Sequence, residues 1–269
     1  MTSDAAALAD LCAAAVPEER LTAEELQHVC FAPGCDVLGD ADAAVAVTAR
    51  DDLGIAWILL LAVRPEAQGR GRGRALVRDA TRWAAARGAR TLRLGDAAPR
   101  YLWPGVDVMN TRAGMLFESA GFTNDTVAIN MTVTTTLRRE PPPGVVVERE
   151  TGGGALAFAE RTYPHWVDEL ASAIRKGSAF AARDEHGDTI AFGCHSANRA
   201  AWIGPMATDP ERQRSGVGSA VLAAVCADLA ARGHATGEIA WVSNLRFYGK
   251  CGATVSRVFR GAHLRLAGR

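Results

Sequence analysis

The sequence contains little lysine and has no net charge. Lysine occurs only twice, at Lys176 and Lys250, and 30 basic residues are balanced by 30 acidic residues, so the formal net charge is zero. Proteins that bind nucleic acids or membrane surfaces usually carry an excess of basic residues. We therefore expect neither a nucleic-acid partner nor a membrane partner.

Cysteine patterns that hold metals are also missing. The six cysteines form no CxxC pair and no zinc-type spacing. Most of them lie in apolar segments, where a free thiol behaves as a small hydrophobic group. The composition therefore predicts a reduced, cytoplasmic chain that holds no metal.

Long hydrophobic runs are missing as well. The apolar run from Trp57 to Val63 has seven residues, which is too few to cross a bilayer. The N-terminal segment carries Asp4 and Asp10 and no basic region, unlike a signal peptide. We interpret the apolar run as a buried β-strand.

What the sequence does contain is one motif twice. Pro65–Gly73 returns 145 positions later as Pro210–Gly218, and the same offset relates Arg87-Gly88 to Arg232-Gly233. A repeat of this length is the size of a domain. The proline-rich stretch 140–144 interrupts any regular element, so we predict a linker there between domains at 1–139 and 145–269.

The same order of elements is predicted in both halves: three strands, a glycine loop, a helix, a strand, a helix and a last strand. Glu238 to Ser243 is predicted to be a strand and Leu245 to Cys251 a helix. The offset falls to 131 between Gly121 and Gly252, so the first half has 14 additional residues before its last helix. We expect this long loop to pack against the neighbouring domain or to carry function.

The repeated loop has the chemistry of an anion site. Gln-x-x-Gly-x-Gly lies between a buried strand and the start of a helix, where unpaired N–H groups and the helix dipole favour an anion. No lysine follows either glycine pair, which excludes a P-loop. The third glycine and the acidic residue of a Rossmann fingerprint are missing too. A diphosphate-binding loop of another kind remains.

Both halves resemble the GCN5-related N-acetyltransferase (GNAT) superfamily. Gln68–Gly73 and Gln213–Gly218 match its Q/R-x-x-G-x-G/A motif, and Asn244–Ala253 is similar to its C-terminal segment. The resemblance implies an α/β (α+β) protein with two tandem GNAT domains. Each would have a mixed, mostly antiparallel central sheet, flanking helices and a V-shaped opening between strands 4 and 5.

The resemblance also implies acetyl-CoA as the cofactor, with its diphosphate on the second loop and its pantetheine in the opening. Asn244 would bond the pantetheine amides or simply cap the following helix. The implied cofactor-binding residues are Met206, Ala207, Thr208, Gln213, Arg214, Ser215, Gly216, Val217, Gly218, Ser219, Asn244 and Phe247. A possible second cofactor site in the first half comprises Gln68, Gly69, Arg70, Gly71, Arg72, Gly73 and Arg74.

The implied reaction is attack of an amine on a thioester. Tyr248 stands where family members often have a proton donor for the leaving thiolate, whereas the first half has Phe117. We therefore expect catalysis in the second half. His195 and Glu238 are the candidates for the general base, Glu238 acting through water; a lone histidine on a strand is more often a packed or surface residue.

The acceptor is expected to be a primary amine of a small molecule. Trp166, Glu169 and Trp241 are the candidate acceptor-binding residues, against ordinary core packing or a solvated helix face. The expected function is thus an acetyl-CoA-dependent N-acetyltransferase. The alternatives are transfer of another acyl group or to a protein N-terminus, and a CoA-binding module without turnover.

Overall fold

The computed structural model describes residues 4–266. The chain forms two compact units. The first unit contains the residues up to Ala128 and those from Val258 on, and the second unit contains Ile129–Arg257. No helix among the described residues is long and apolar enough to cross a membrane.

Among the described residues, ten α-helices and β-strands precede the proline-rich stretch 140–144. In chain order they are α1 (Ala5–Ala15), α2 (Ala23–Cys30), β1 (Cys35–Gly39), β2 (Ala43–Arg50), β3 (Ile55–Val63), α3 (Arg72–Ala86), β4 (Thr91–Leu94), β5 (Val106–Asp107), α4 (Thr111–Ser119) and β6 (Thr123–Thr134). Ten more follow it: β7 (Val146–Arg149), α5 (Gly154–Thr162), α6 (Val167–Arg175), β8 (Ala179–Arg183), β9 (Thr189–His195), β10 (Trp202–Thr208), α7 (Val217–Ala231), β11 (Thr236–Ile239), α8 (Leu245–Lys250) and β12 (Thr254–Arg265).

The first unit has a mixed, mostly antiparallel sheet. β1, β2 and β3 pair in antiparallel order, β3 pairs in parallel with β4, and β4 pairs antiparallel with β12. The apolar face of α1 and α2 covers one side of this sheet, and α3 covers the other. The apolar run at β3 is therefore buried on both faces, as its composition predicted.

The second unit repeats this plan. β7, β8, β9 and β10 pair in antiparallel order, β10 pairs in parallel with β11, and β11 pairs antiparallel with β6. Helices α5 and α6 pack on one face of the sheet and α7 on the other. The predicted fold class, two tandem domains with mostly antiparallel sheets, is confirmed.

The last strands of the two halves are exchanged. β12, at the end of the chain, pairs with β4 in the first unit, where Ala262 is buried. β6, from the first half of the sequence, pairs with β11 in the second unit, where Met131 and Val133 are buried. The limits of the two compact units therefore differ from those of the predicted domains at 1–139 and 145–269. Residues 1–3 and 267–269 of these predicted domains lie outside the described residues.

Local sequence signals set most element ends. Thr22 and Glu25 form the expected capping box at the start of α2. The prediction of a strand from Glu238 to Ser243 is wrong beyond Ile239, where β11 ends. The chain turns there because Trp241 adopts a left-handed backbone with φ of 54° and donates its N–H to Asn130 Oδ1 at 2.9 Å.

Candidate functional site

An opening separates two parallel strands in the second unit. β10 and β11 pair only at Trp202–Glu238 and Ile203–Ile239, and β10 then continues to Thr208. A bulge follows Ile203 on β10, and beyond it Met206, Ala207 and Thr208 pair with β9 on the other side. Beyond Ile203, β10 therefore no longer pairs with β11, although it stays paired with β9. The gap between β10 and β11 is the V-shaped opening between the fourth and fifth strands.

The second glycine loop starts at the end of β10 that borders this opening. Gln213 is extended, Arg214 has φ of 63° and Gly216 has φ of 94° before α7 begins at Val217. Left-handed residues in such a turn direct backbone N–H groups into one concavity, which suits an anion. No side chain caps the start of α7, so its first N–H groups add to this site.

The side chains of this loop divide into two groups. Val217 is buried in the core and contributes only its backbone. The hydroxyl of Ser215 donates to Arg212 O at 2.5 Å and that of Ser219 to Gly216 O at 2.8 Å, so both hydroxyl protons are used within the loop. Gln213 and Arg214 are exposed. The loop therefore offers an anion mainly backbone N–H groups and the Arg214 charge.

Gly218 allows α7 to begin close to two other elements. A Cβ at this position would lie 3.0 Å from Thr208 Oγ1 and 3.4 Å from the Phe247 ring. Phe247 packs at the edge of the core in the first turn of α8. Asn244 caps this helix, because its Oδ1 accepts from Phe247 N at 3.0 Å. Of the two roles weighed for Asn244, capping is the one observed.

Tyr248 follows Phe247 on α8. Its ring packs edge-on against Phe247 with 4.8 Å between ring centroids, and the side chain is half-buried. Its hydroxyl has no hydrogen-bond partner among residues 4–266. Burial raises the pKa of Tyr248 to about 12, so the hydroxyl keeps its proton at neutral pH. A neutral phenol without a fixed partner is available as a proton donor.

His195 occupies a different place. It is fully buried at the end of β9, with Nδ1 2.9 Å from Ser196 Oγ and Nε2 2.8 Å from Asp228 Oδ2. Asp228 lies eleven residues after Val217 on α7, which corresponds to about 16 Å along the helix from the glycine loop. Burial lowers the pKa of His195, although Asp228 opposes this. Both ring nitrogens are therefore held by structural partners.

Glu238 lies where the parallel strands still pair. Its Oε1 accepts from Asn130 Nδ2 at 2.6 Å, and the other end of that buried amide accepts from Trp241 N. Asn130 belongs to β6, so the first half of the sequence supplies the residue that orients Glu238 and the Trp241 backbone. Trp241 is 37% exposed beside this group.

Aromatic rings and a buried carboxylate lie on the α5–α6 side. Trp166 stacks on Tyr163, with centroids 5.1 Å apart, and the Tyr163 hydroxyl donates to Thr208 O at 3.2 Å beside the opening. Glu169 on α6 is 7% exposed and accepts from Asn198 Nδ2 at 3.1 Å. Burial, with a smaller contribution from Asp168, raises the pKa of Glu169 to about 7.

The first glycine loop has the same backbone as the second. Gly69 has φ of 72° where Arg214 has 63°, and Gly71 has 79° where Gly216 has 94°. Gly73 approaches Leu116 as Gly218 approaches Phe247. β3 and β4 also part beyond their last pair, at Ile58 and Leu94.

The side chains of the first loop differ from those of the second. Gln68 Nε2 donates to Val63 O at 3.0 Å, and Arg72 pairs with Asp40 at 2.6 Å. Arg70 and Arg74 are exposed and have no partner within the described part of the chain. The first loop thus combines an anion-binding backbone with two available positive charges.

Three differences distinguish the first unit from the second near its opening. Phe117 stands where the second unit has Tyr248, and Arg93 stands where it has Glu238. Arg93 forms ion pairs with Asp96 and Asp125, at 2.6 and 3.1 Å. The 14 additional residues also belong here: Leu102 is fully buried in the core beneath α1 and α2.

Sequence reasoning missed Asn130, Tyr163 and Asn198 as contributors to the site. Their roles depend on contacts with Glu238, Thr208 and Glu169, which are 108, 45 and 29 positions away. The sequence carries one usable signal among them, since Asn130 is a polar residue directly between the apolar residues Ile129 and Met131. No cluster of three or more potential metal ligands occurs among residues 4–266.

Comparison with known proteins identifies a family model that matches both halves of the chain. The model of the acetyltransferase (GNAT) family matches residues 16–122 and again residues 143–253. A search of curated proteins by sequence finds no match.

Three solved structures share the two-unit fold at low sequence identity. A GCN5-related N-acetyltransferase from Sphaerobacter thermophilus has a TM-score of 0.67 at 19% identity, over 100% of this chain and 95% of that one. A tandem GNAT protein from the clavulanic acid biosynthesis pathway has 0.74 at 13% identity, over 98% and 95%. The glucosamine N-acetyltransferase region of a fungal multi-domain β-N-acetylglucosaminidase has 0.76 at 19% identity; the match covers 97% of this chain and 37% of the fungal one.

Proposed function

The chain belongs to the acetyltransferase (GNAT) family, and from this premise we propose that it moves the acetyl group of acetyl-CoA to a primary amine of a small molecule. We place the reaction in the second unit. The observation that carries this assignment is Tyr248, a half-buried phenol with no hydrogen-bond partner among residues 4–266, at a position where the first unit has Phe117.

The second glycine loop fits the diphosphate of the cofactor. Arg214 and Gly216 provide the left-handed turn, and α7 provides uncapped N–H groups. The open edge of β10 beyond the bulge, at Met206, Ala207 and Thr208, fits the pantetheine arm. A backbone N–H on this edge would polarise the thioester carbonyl as an oxyanion donor.

Transfer requires two protons to be handled. An alkylammonium with a pKa near ~10.4 costs about 4.6 kcal/mol to deprotonate at pH 7, so a nearby base is needed. The free amine then forms a bond to the carbonyl carbon, and the bond from carbon to sulfur breaks. Tyr248 gives its proton to the leaving thiolate and regains one from the amide nitrogen as the tetrahedral intermediate collapses.

Two carboxylates can serve as the base. The contacts of His195 with Ser196 and Asp228 argue for a structural role and leave Glu238 and Glu169. Trp166 and Trp241 would line the approach of the acceptor. Glu169 would face a cationic amine.

We propose a cofactor-binding role without turnover for the first loop, comprising Gln68, Gly69, Arg70, Gly71, Arg72, Gly73 and Arg74. Its backbone matches the second loop, and Arg70 and Arg74 are exposed for contact with phosphate. Phe117 supplies no proton donor there. Arg93 stands where the second unit has Glu238, so this position supplies no carboxylate that could take a proton from an ammonium acceptor.

The test is release of free thiol from acetyl-CoA in the presence of a panel of primary amines that includes glucosamine. We expect release that depends on the amine, with mass spectrometry showing one acetyl group added to it. Binding of acetyl-CoA without thiol release for any amine would contradict the enzyme assignment and favour a binding module. Release with other acyl-CoA esters only would change the transferred group.

A further inference from the structure

We propose that a groove beneath α4 in the first unit binds a small zwitterion, namely a free α-amino acid with an apolar side chain. The groove lies beside β5, in the stretch between β4 and α4 where the first half has its 14 additional residues. We place acetyl transfer in the second unit, so the two proposals can be tested separately.

The groove forms where β12 changes its partner strand. Ala262 pairs with Leu94 at the end of β4, whereas Arg260 pairs with Val106 on β5. Helix α4 forms the facing wall, and all the lining residues belong to the first unit. The cavity has a volume of about 220 Å³. Sites for drug-sized ligands have roughly 300–1,000 Å³, so this groove suits a smaller molecule.

Both the floor and the rim of the groove are apolar. Leu94, Phe117 and Ala262 line it and are buried. Val108 and Met115 also line it, yet they are 42% and 65% exposed. An apolar group in the groove would cover these two side chains. Because removal of apolar surface from water is favourable, the groove attracts an apolar group.

Gly114 keeps the groove open on the side of α4. It lines the groove within the helix, where glycine costs stability compared with alanine. Its backbone is not left-handed, and a Cβ added there would have no heavy atom within 4 Å. Neither the backbone conformation nor a close neighbour therefore requires glycine. The second unit has Leu245 at the corresponding position, and such a side chain at Gly114 would occupy the space for a ligand.

Two opposite charges line the groove from different elements. Arg260 belongs to β12 and Glu118 to α4, and both residues are exposed. Neither side chain has a hydrogen-bond or ion-pair partner among residues 4–266. A guanidinium binds a carboxylate through two parallel N–H groups, and a carboxylate accepts hydrogen bonds from an ammonium group. The groove therefore offers one partner for an anion and one for a cation.

One small molecule satisfies the apolar floor and both charges. A free α-amino acid carries its carboxylate and its ammonium group on the carbon that bears the side chain. The carboxylate would pair with Arg260, the ammonium group would pair with Glu118, and the side chain would pack on the floor. A carboxylic acid without an amine would leave Glu118 unpaired, and an alkylamine would leave Arg260 unpaired. The pair of charges therefore favours the zwitterion.

The experiment is calorimetric titration of L-leucine into the intact chain, without acetyl-CoA. Isocaproate and isoamylamine are titrated in the same way, because each keeps the apolar group of leucine and only one of its two charges. The variants are Arg260→Gln, Glu118→Gln and Gly114→Leu. Gly114→Gln is a second blocking variant with a less apolar side chain. Circular dichroism and the thermal transition show which variants are folded.

Two control variants match these changes outside the groove. Arg265→Gln removes an exposed arginine of β12 that pairs with β4 rather than β5. Gly249→Leu adds the same side chain to a glycine of α8, where an added Cβ also has no heavy atom within 4 Å. Both should bind leucine as the wild type does.

We expect the wild type to bind leucine at least about tenfold more tightly than isocaproate or isoamylamine, because each lacks one charged hydrogen-bond partner. Arg260→Gln should weaken leucine and isocaproate about tenfold and leave isoamylamine unchanged. Glu118→Gln should weaken leucine and isoamylamine and leave isocaproate unchanged. Gly114→Leu and Gly114→Gln should abolish binding of all three.

Three results would overturn the inference. They are a wild type that does not bind leucine, equal affinity for leucine and isocaproate, and leucine binding that persists in a folded Gly114→Leu or Gly114→Gln variant. Persistent binding would place the amino acid elsewhere on the chain. A failure of thiol release with every amine would contradict the proposed function and leave this result unaffected, because the titration contains no acetyl-CoA.

Discussion

The glycine loops of the two units have the same backbone conformation, and single side chains near them distinguish the units. The two glycine loops have the same sequence of left-handed turns, yet Tyr248 corresponds to Phe117 and Glu238 to Arg93. A phenol donates a proton and a phenyl ring does not. A carboxylate can accept a proton from an ammonium group, whereas a guanidinium cannot. The chemical difference between the units is therefore decided by residues, while the loop backbone on which we propose cofactor binding is the same in both.

The first prediction concerns Tyr248. Replacement by Phe keeps the ring and its packing on Phe247 but removes the proton donor. We expect kcat to fall roughly 10- to 1000-fold, near the usual effect of losing a general acid. The affinity for acetyl-CoA should not change. Steady-state kinetics and calorimetric titration on the same preparation measure both quantities, and unchanged turnover would remove the reason for placing catalysis in the second unit.

The second prediction concerns stability and Glu169. Its pKa rises from 4.5 to about 7 on folding, so the folded protein holds this proton where the unfolded chain has lost it. Stability from this residue is present below pH 4.5 and is lost as pH rises from 4.5 to 7, by about 3 kcal/mol in total. Glu169→Gln removes this loss.

Urea unfolding at pH 5 and pH 8 measures this effect. We expect Glu169→Gln to be more stable than the wild type at pH 8, with a smaller difference at pH 5. Glu160→Gln is the control, because Glu160 is exposed and its charge costs little. An equal effect of Glu169→Gln at both pH values would mean that the carboxylate is not held in its neutral form on folding.

At the scale of elements, the loop between β10 and α7 depends on its backbone. Gly216 has φ of 94°, a conformation that is strained for a β-branched residue, and the loop offers an anion mainly N–H groups. The helix that follows supplies the partial positive charge of its first turn. A substitution that displaces this turn should therefore weaken anion binding.

The third prediction is that Gly216→Val abolishes binding of acetyl-CoA in the second unit. Gly233, at the other end of α7, has φ of 87° and no heavy atom within 4 Å of an added Cβ, so Gly233→Val introduces the same strain away from the loop. Calorimetry should show one site fewer in Gly216→Val and no change in Gly233→Val. Full occupancy in Gly216→Val would contradict the loop assignment.

At the scale of the whole molecule, each unit is completed by a strand from the other half of the sequence. β12 covers the edge of β4, and β6 covers the edge of β11. Met131 and Val133 of β6 are buried in the second unit. Burial of such side chains contributes roughly 1.5–3 kcal/mol each, which is a large part of the stability of a small domain.

The fourth prediction follows from this exchange. Residues 1–139 and 140–269, expressed separately, should each fail to give a cooperative thermal transition, because each lacks a strand of its sheet. Mixed and refolded together, they should recover the circular dichroism of the intact chain. As a control, an intact chain cleaved at a protease site inserted into 140–144 should keep its structure. A cooperative transition in residues 1–139 alone would contradict the importance of β12.

The sequence by itself determined the repeat, the two glycine loops, most helix ends and the family, because these depend on residues close together along the chain. Gly216 and Thr22 act on their own turns, so their effects can be predicted from a few neighbours. The strand exchange was decided only by the tertiary structure. β6 and β12 are both 12-residue strands of mixed polar and apolar residues, and the choice of edge depends on packing across more than a hundred residues. The partners of Glu169, Glu238 and His195 were decided in the same way, because a side chain's neighbours on other elements set its burial and its charge state.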